Sequence, residues 1–158
     1  MDGGTEALGA CRTFRGRSSL EVIFLVDTNT FSEPMKSQPN RKVLSLLTSK
    51  QLDWGTSATA WEEFTVGIRI LPASARRNEL EAYRRGLLNG GLEIAAFDES
   101  AADWMASERA RLLKKGTRPP YRDAQIAAVA GSRELVLVTR NVQDFKEFRG
   151  LKIQNWFS

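Results

Sequence analysis

Five consecutive apolar residues, Val22–Ile23–Phe24–Leu25–Val26, run directly into Asp27, Thr28 and Asn29. Three of the five are β-branched, and an unbroken apolar run of this kind predicts a strand buried on both faces, as in the interior of a parallel sheet. Leu135–Val138 is a second such run, followed by Thr139–Arg140–Asn141. Between them the apolar residues switch to helical spacing. Pro34 limits the segment Asn29–Lys36 to a short helix or turn. Val43, Leu44, Leu46 and Leu47 form a helical stripe from Asn40, a plausible cap, to about Lys50. A strand near Asp53–Ala58 precedes a helix capped by Thr59 and running to Ile70. An Arg-rich helix from about Ala73 to Leu88 ends at Asn89–Gly90–Gly91, a helix stop.

The second half repeats the alternation. Glu93–Phe97 reads as a third strand, and Asp98 or Ser100 caps a long helix to Lys115, stopped by Gly116. Pro119 and Pro120 open a small-residue helix, Tyr121 to Gly131, and Leu151–Trp156 supplies an edge strand. Strands alternating with helices long enough for crossovers predict an α/β chain: a single three-layer α/β/α domain with a central parallel sheet. Residues 1–20 contain four glycines and three arginines and no apolar core of the signal-peptide kind. They read as a disordered leader, and 21–158 as the folded domain.

In a parallel sheet ligands collect outside the carboxyl ends of the strands, so the acids acquire meaning from their places. Asp27 stands at the end of the first strand, where it can hold a cation or simply cap the following helix. Glu62 and Glu63 lie in the first turn of the helix after the second strand, a favourable place for carboxylates next to the helix dipole. Trp61, Phe64, Ile68 and Leu71 form one stripe of that helix while Val66 and Ile70 make the opposite side apolar, so periodicity does not choose between the two glutamates. Asp123 shares its helix side with Ile126, Ala127 and Ala130 at spacings of three and four. A carboxylate on a packed face needs a partner, because burying an unpaired charge costs several kcal/mol or forces protonation. Thr139, Asn141 and Asp144 follow the last buried strand. Thr139 can hold a water or phosphate oxygen, Asn141 can donate, accept or cap the next helix, and Asp144 can return from that helix.

Composition removes competitors. There is no histidine, and Cys11 is the sole cysteine. Imidazole bases, Ser-His-Asp triads, most catalytic zinc sites, an intrachain disulfide and cysteine metal clusters are therefore excluded. Carboxylates, hydroxyls, lysines and hard cations remain. The net charge of +4 suggests a polyanionic partner. Arg118 and Arg122 flank the start of the Asp123 helix and are placed to meet phosphates, whereas Arg76, Arg77, Arg84, Arg85, Arg109, Arg111, Lys114 and Lys115 read mostly as solvated helix faces. Trp54, Trp61 and Trp104 sit in periodic apolar settings and read as core.

The ordered set Val26–Asp27–Thr28–Asn29, Ser32–Glu33–Pro34, Ser57–Ala58–Thr59 with Glu63 and Gly67, Tyr121–Arg122–Asp123–Ala124–Gln125–Ile126–Ala127–Ala128, and Val138–Thr139–Arg140–Asn141 with Asp144–Phe145 strongly resembles the PIN-domain family, within it the VapC-type and FitB-like toxins of bacterial toxin–antitoxin pairs. The likeness spans residues 22 to 158. It implies a metal-dependent endoribonuclease in which Asp27 and Asp123 are the principal metal ligands, Glu63 the second acid because it stands four residues before Gly67, and Asp144 the fourth, with Thr139 a hydroxyl contact. Some relatives carry an acid where this chain has Asn141. The resemblance further implies a cognate antitoxin whose tail covers the active site, and a homodimer.

The chemistry is consistent with that implication. Two carboxylates 4 Å apart repel by roughly 4 kcal/mol at an effective dielectric near 20, so a convergent quartet calls for a cation. All-oxygen donors favour Mg²⁺ or Mn²⁺ over zinc. Such an ion lowers the pKa of bound water and neutralises phosphate, giving products with a 5′-phosphate and a 3′-hydroxyl. The alternatives are a non-catalytic nucleic-acid or protein binding module of the same fold and, fitting less well, a phosphoryl-transfer or receiver-like domain. Phosphoryl-transfer domains of the haloacid-dehalogenase kind would want an acid where Asn29 stands, and receivers a lysine where Thr139 stands. No membrane span or signal segment is evident, so a cytoplasmic location is expected.

Overall fold

The computed structural model describes residues 23–49 and 53–158; the expected leader, Cys11 and the first residue of the expected strand, Val22, lie outside them. Among the described residues the sheet has five strands, β1 (Ile23–Val26), β2 (Asp53–Ser57), β3 (Ile94–Ala95), β4 (Val136–Val138) and β5 (Lys152–Gln154). All pair in parallel, in the order β3-β2-β1-β4-β5. The two continuous apolar runs occupy the centre, where Leu25, Val26, Leu137 and Val138 are all but inaccessible. That is the environment for which an uninterrupted apolar strand is suited.

The helices are α1 (Thr28–Phe31), α2 (Arg41–Thr48), α3 (Ala58–Arg69), α4 (Ala75–Asn89), α5 (Glu99–Lys114), α6 (Tyr121–Ser132) and α7 (Val142–Phe145), with a 3-10 turn at Glu33–Met35. Asn40 caps α2 and Asp98, rather than Ser100, caps α5, each accepting a backbone N–H at 3.1 Å. The α3 cap is Ser57, not Thr59: the Ser57 hydroxyl accepts from Ala60 N at 3.1 Å, and Thr59 lies inside the helix. Gly91 and Gly116 end α4 and α5 with φ of 84° and 79°, a region that residues with a Cβ enter only with strain. β3 is two residues long rather than five, because only Ile94 and Ala95 pair with the end of β2. Trp54, Trp61 and Trp104 pack against the core as expected. Val66 and Ile70 remain exposed, so the second apolar side of α3 is not core.

The small residues of α6 allow a close approach. Ala124, Ala127, Ala128 and Ala130 are fully buried, and a Cβ built on Gly131 would fall within the Trp104 indole of α5. The half-buried indole also packs on Phe148, and it must shift before an added methyl fits. Gly131→Ala is accordingly expected to destabilise the protein by about 1–3 kcal/mol, read as a lower urea midpoint with an unchanged m-value, whereas Gly67→Ala, which meets nothing within 4 Å, does not.

Candidate active site

Strand register fixes the first pair of site residues. Val26 is opposite Val138, and Asp27 N donates to Val138 O at 2.9 Å, so the residues that follow the two central strands, Asp27 and Thr139, emerge side by side. Asp27 Oδ1 accepts from Thr28 N at 2.8 Å, and Oδ2 accepts from the Thr139 hydroxyl at 3.0 Å. The Thr139 oxygen in turn accepts from Asn141 N at 3.1 Å. Asp27 therefore does both things its position allows: it caps α1 and it faces the carboxyl edge. Thr139 is fully buried, and its hydroxyl hydrogen goes to Asp27.

Asp27, Glu63, Asp123 and Asp144 all line one cleft of about 280 Å³, together with Thr28, Asn29, Arg122, Ile126, Asn141 and Phe145. The four acids come from four separate elements: the end of β1, α3, α6 and α7. Glu63 is distinguished from Glu62 by the Thr28 hydroxyl, 3.2 Å from its Oε2 and 3.1 Å from Ala60 O. That hydroxyl has one hydrogen, so it ties α1 to α3 through one acceptor at a time. Arg122 Nη2 stands 3.4 Å from carboxylate oxygens of both Glu62 and Glu63. These partners are half exposed, so the pairs orient side chains more than they stabilise the fold.

Burial pushes the Asp27 carboxyl up and the nearby Glu63 charge adds to this, against the lowering by the Thr28 amide, the Thr139 hydroxyl and Arg122. Asp123, half-buried among the apolar residues of α6, is also pushed up, first by burial and then by Asp144, Asp27 and Glu63, with Arg122 opposing. The cluster thus carries more negative charge than its single arginine offsets. Among the described residues the acids do not form a ready-made cluster enclosing an ion; they converge on a shared space. A divalent cation fits the donor set: every donor is a hard oxygen, and the repulsion that raises the two aspartates is what a cation relieves.

Other expectations fare differently. Arg122 lines the cleft, but Arg118 is exposed outside its lining. Asn141 lines it without capping α7, since its side chain makes no capping bond. Thr28, Asn29, Ile126 and Phe145 belong to the cleft although sequence reasoning gave them no role; adjacency to Asp27, Asp123 and Asp144 was the available signal. Several helix arginines have local partners, but Arg84, over Trp61 and donating to Thr65, and Arg111, paired with Glu108 at 2.7 Å, are largely buried rather than solvated, while Arg109 lies over Tyr121. Among the described residues no helix is long and apolar enough to cross a membrane.

A family model described as PIN domain matches residues 24–151. The chain is 33% identical over 135 residues to the tRNA(fMet)-specific endonuclease VapC of Salmonella typhimurium, covering 84% of this chain and 97% of that one. It is also 33% identical over 127 residues to toxin FitB of Neisseria gonorrhoeae, covering 78% and 91%. The crystal structure of DNA-bound VapBC from Salmonella typhimurium is similar with a TM-score of 0.68 and 30% identity, covering 85% of this chain and 98% of that chain.

Two measurements follow from the site's electrostatics. Asp27 and Asp123 both ionise above the ordinary 3.8 in the folded chain, so between that value and their raised ones the folded state binds more protons than the unfolded. Stability then falls as pH rises through this window. Glu33 and Glu108 are shifted down from 4.5, so their contribution is lost only in more acid solution. In a chelating buffer Tm is expected to fall as pH rises from the ordinary 3.8 through the raised values of the two aspartates, and the Asp27→Asn/Asp123→Asn double variant to flatten that slope; calorimetry at several pH values checks it. Thr139→Val removes the buried donor to Asp27 and is expected to cost about 1–3 kcal/mol by denaturant titration, with the Asp27 pKa moving further up by NMR titration.

Proposed function

This chain belongs to the PIN domain family, and we propose that it is a toxin acting as a metal-dependent endoribonuclease, held inactive by a cognate antitoxin. The observation that carries this reading is the convergence of four carboxylates from four elements on one cleft at the carboxyl edge of a parallel sheet. The named relatives, a tRNA(fMet)-specific endonuclease and a toxin, support the same class of reaction and biological role. The VapBC complex supports an antitoxin partner. A homodimer working in the cytoplasm completes the proposal.

Asp27 and Asp123 are the proposed principal holders of Mg²⁺ or Mn²⁺, with Glu63 and Asp144 completing the acidic rim. A bound ion of this type supplies a lowered pKa for an adjacent water and neutralisation of the phosphate under attack. The chain's own groups prepare the place. The Thr28 amide and Thr139 hydroxyl each take one lone pair of Asp27, fixing the carboxylate while leaving both oxygens able to bind a cation. Thr28 and Arg122 hold Glu63. Arg122 then meets a phosphate at the cleft, and Arg118 contacts RNA outside it. Because water rather than the 2′-hydroxyl is the nucleophile, the products carry a 5′-phosphate and a 3′-hydroxyl, and preference for RNA comes from contacts rather than from the reaction.

The test is mapping of 5′-phosphate RNA ends in cells after brief induction, paired with cleavage by purified protein. Wild type is expected to generate new ends at a small number of sites, and Asp27→Asn, folded by circular dichroism, none. Chelation is expected to lower the purified rate at least ~100-fold, the scale of losing several kcal/mol of charge stabilisation. Identical end maps from the two folded proteins would turn the reading to a non-catalytic binding module.

A further inference from the structure

The strand-end residue Arg140 is not accounted for by the acidic cleft, although it adjoins it. Its backbone N–H points to Asn29 Oδ1 at 3.4 Å, and Asn29 and the next residue, Asn141, both line the cleft. Its guanidinium lies 4.8 Å over the ring of Phe157, in the C-terminal segment. That segment is well anchored. Trp156 is buried, Phe157 N donates to Asn155 Oδ1 at 2.9 Å, the Ser158 hydroxyl donates to Asn155 O at 3.2 Å, and the Phe157 ring packs against the core.

Two more cations gather here, and both are committed. Lys36 Nζ is 5.9 Å from the same ring but forms a 2.6 Å ion pair with the buried Glu33, whose other oxygen accepts from Asn40 N at 2.9 Å. Lys42 donates to the carbonyl oxygen of Ser158. Among the described residues the exposed Arg140 guanidinium is in none of the ion pairs; the Glu33 carboxylate feels its charge but makes its contact with Lys36. A guanidinium stacked by one face on an aromatic ring keeps its edge N–H groups for another acceptor, in the fork that matches phosphate. Its side of the cleft is also opposite Arg122. In the sheet order β2 lies to one side of β1 and β4 to the other, so α3 with Arg122's partners flanks one side and the β4 end with Arg140 the other.

We propose that Arg140, seated on Phe157, is a phosphate-binding subsite that takes a backbone phosphodiester of the RNA next to the one being cleaved. This rests on the ribonuclease reading and extends it: the acidic centre, itself repulsive to RNA, is straddled by a cation on each flank. Phe157 acts as a positioning residue, holding the guanidinium ready and reducing the side-chain freedom lost on binding.

The experiment is fluorescence anisotropy of labelled single-stranded RNA along a KCl series, in an Asp27→Asn background that prevents turnover. Arg140→Gln is expected to weaken binding roughly tenfold and to reduce the slope of log affinity against log salt by about 0.7, the loss of one phosphate contact on a single strand. Arg140→Lys retains the slope with intermediate affinity, Phe157→Leu binds about two- to fivefold more weakly with the slope kept, and Lys152→Gln, at the amino end of the neighbouring strand and so away from the carboxyl edge, matches the parent. A lowered Tm for Arg140→Gln with unchanged RNA affinity and slope would make the arginine a clamp on the C-terminal segment and overturn the subsite. Absence of RNA binding by the parent, together with no cleavage by wild type, would overturn the ribonuclease reading and the subsite with it.

Discussion

The contact between Asp27 and Thr139 is the constraint on which the site depends. A carboxylate at the end of the central strand is nearly removed from water, and burial works against its charge. Two donors make the ionised form tenable, the Thr28 amide on one oxygen and the Thr139 hydroxyl on the other. Both are consequences of the fold. The first exists because α1 starts immediately after β1, and the second because the β1–β4 register brings the residues after Val26 and Val138 together. A shift of that pairing by one residue would turn Thr139 to the other side of the sheet and leave Asp27 without its hydroxyl.

From that fixed point the remaining acids are brought in with progressively less restraint. Glu63 is tied through Thr28 and Arg122, Asp123 is confined by the packed face of α6, and Asp144 is exposed on a single-turn helix. The gradient would suit the proposed cation and polyanion, with rigid carboxylates at the base and adjustable ones at the rim. It also explains why the acids share a cleft without already enclosing an ion. Without a cation, bringing all four carboxylates together would add repulsion to a group of charges that, among the described residues lining the cleft, Arg122 offsets.

The sequence was most informative where one residue satisfies local and global requirements together. The β1 and β4 runs, the Asn40 cap and the glycine stops of α4 and α5 depend on local patterns, and each is found where it was expected. Asp27 and Asp123 were legible because a strand end and a packed helix face each restrict what a carboxylate can do. Glu62 and Glu63 were not separable by periodicity, since α3 is apolar on two sides and only one of these is core; the Thr28 contact separates them, across 35 residues of chain. The same limit applies to Thr139. Its hydroxyl is committed to Asp27, 112 residues away, a partner that becomes visible only with the strand register. The choice of Ser57 over Thr59 as the α3 cap is smaller in scale but similar in kind, because the end of β2, not helix propensity, decides where α3 begins.

Electrostatic balance links the acidic cleft to the basic character of the whole chain. A net charge of +4 is modest, yet it is reached despite four carboxylates concentrated at one end of the sheet, so the remaining surface is more basic than the total states. Some of that excess, as at Arg111, Arg84 and Arg109, is tied to local acidic or aromatic partners, where it adds to long-range attraction of a polyanion without defining a track. Cations next to the cleft act at shorter range. Arg122 is held by α3 acids on one flank and Arg140 by an aromatic ring on the other, two different ways of fixing a guanidinium beside a centre that would otherwise repel phosphate. An acid in direct contact neutralises much of the charge it positions, whereas a ring positions the charge without an ion pair, here with Glu33 acting on Arg140 only at longer range. On the proposed ribonuclease reading, the stacked arginine is the one held without a carboxylate in ion-pair contact, and the C-terminal segment that carries its ring joins the proposed substrate surface.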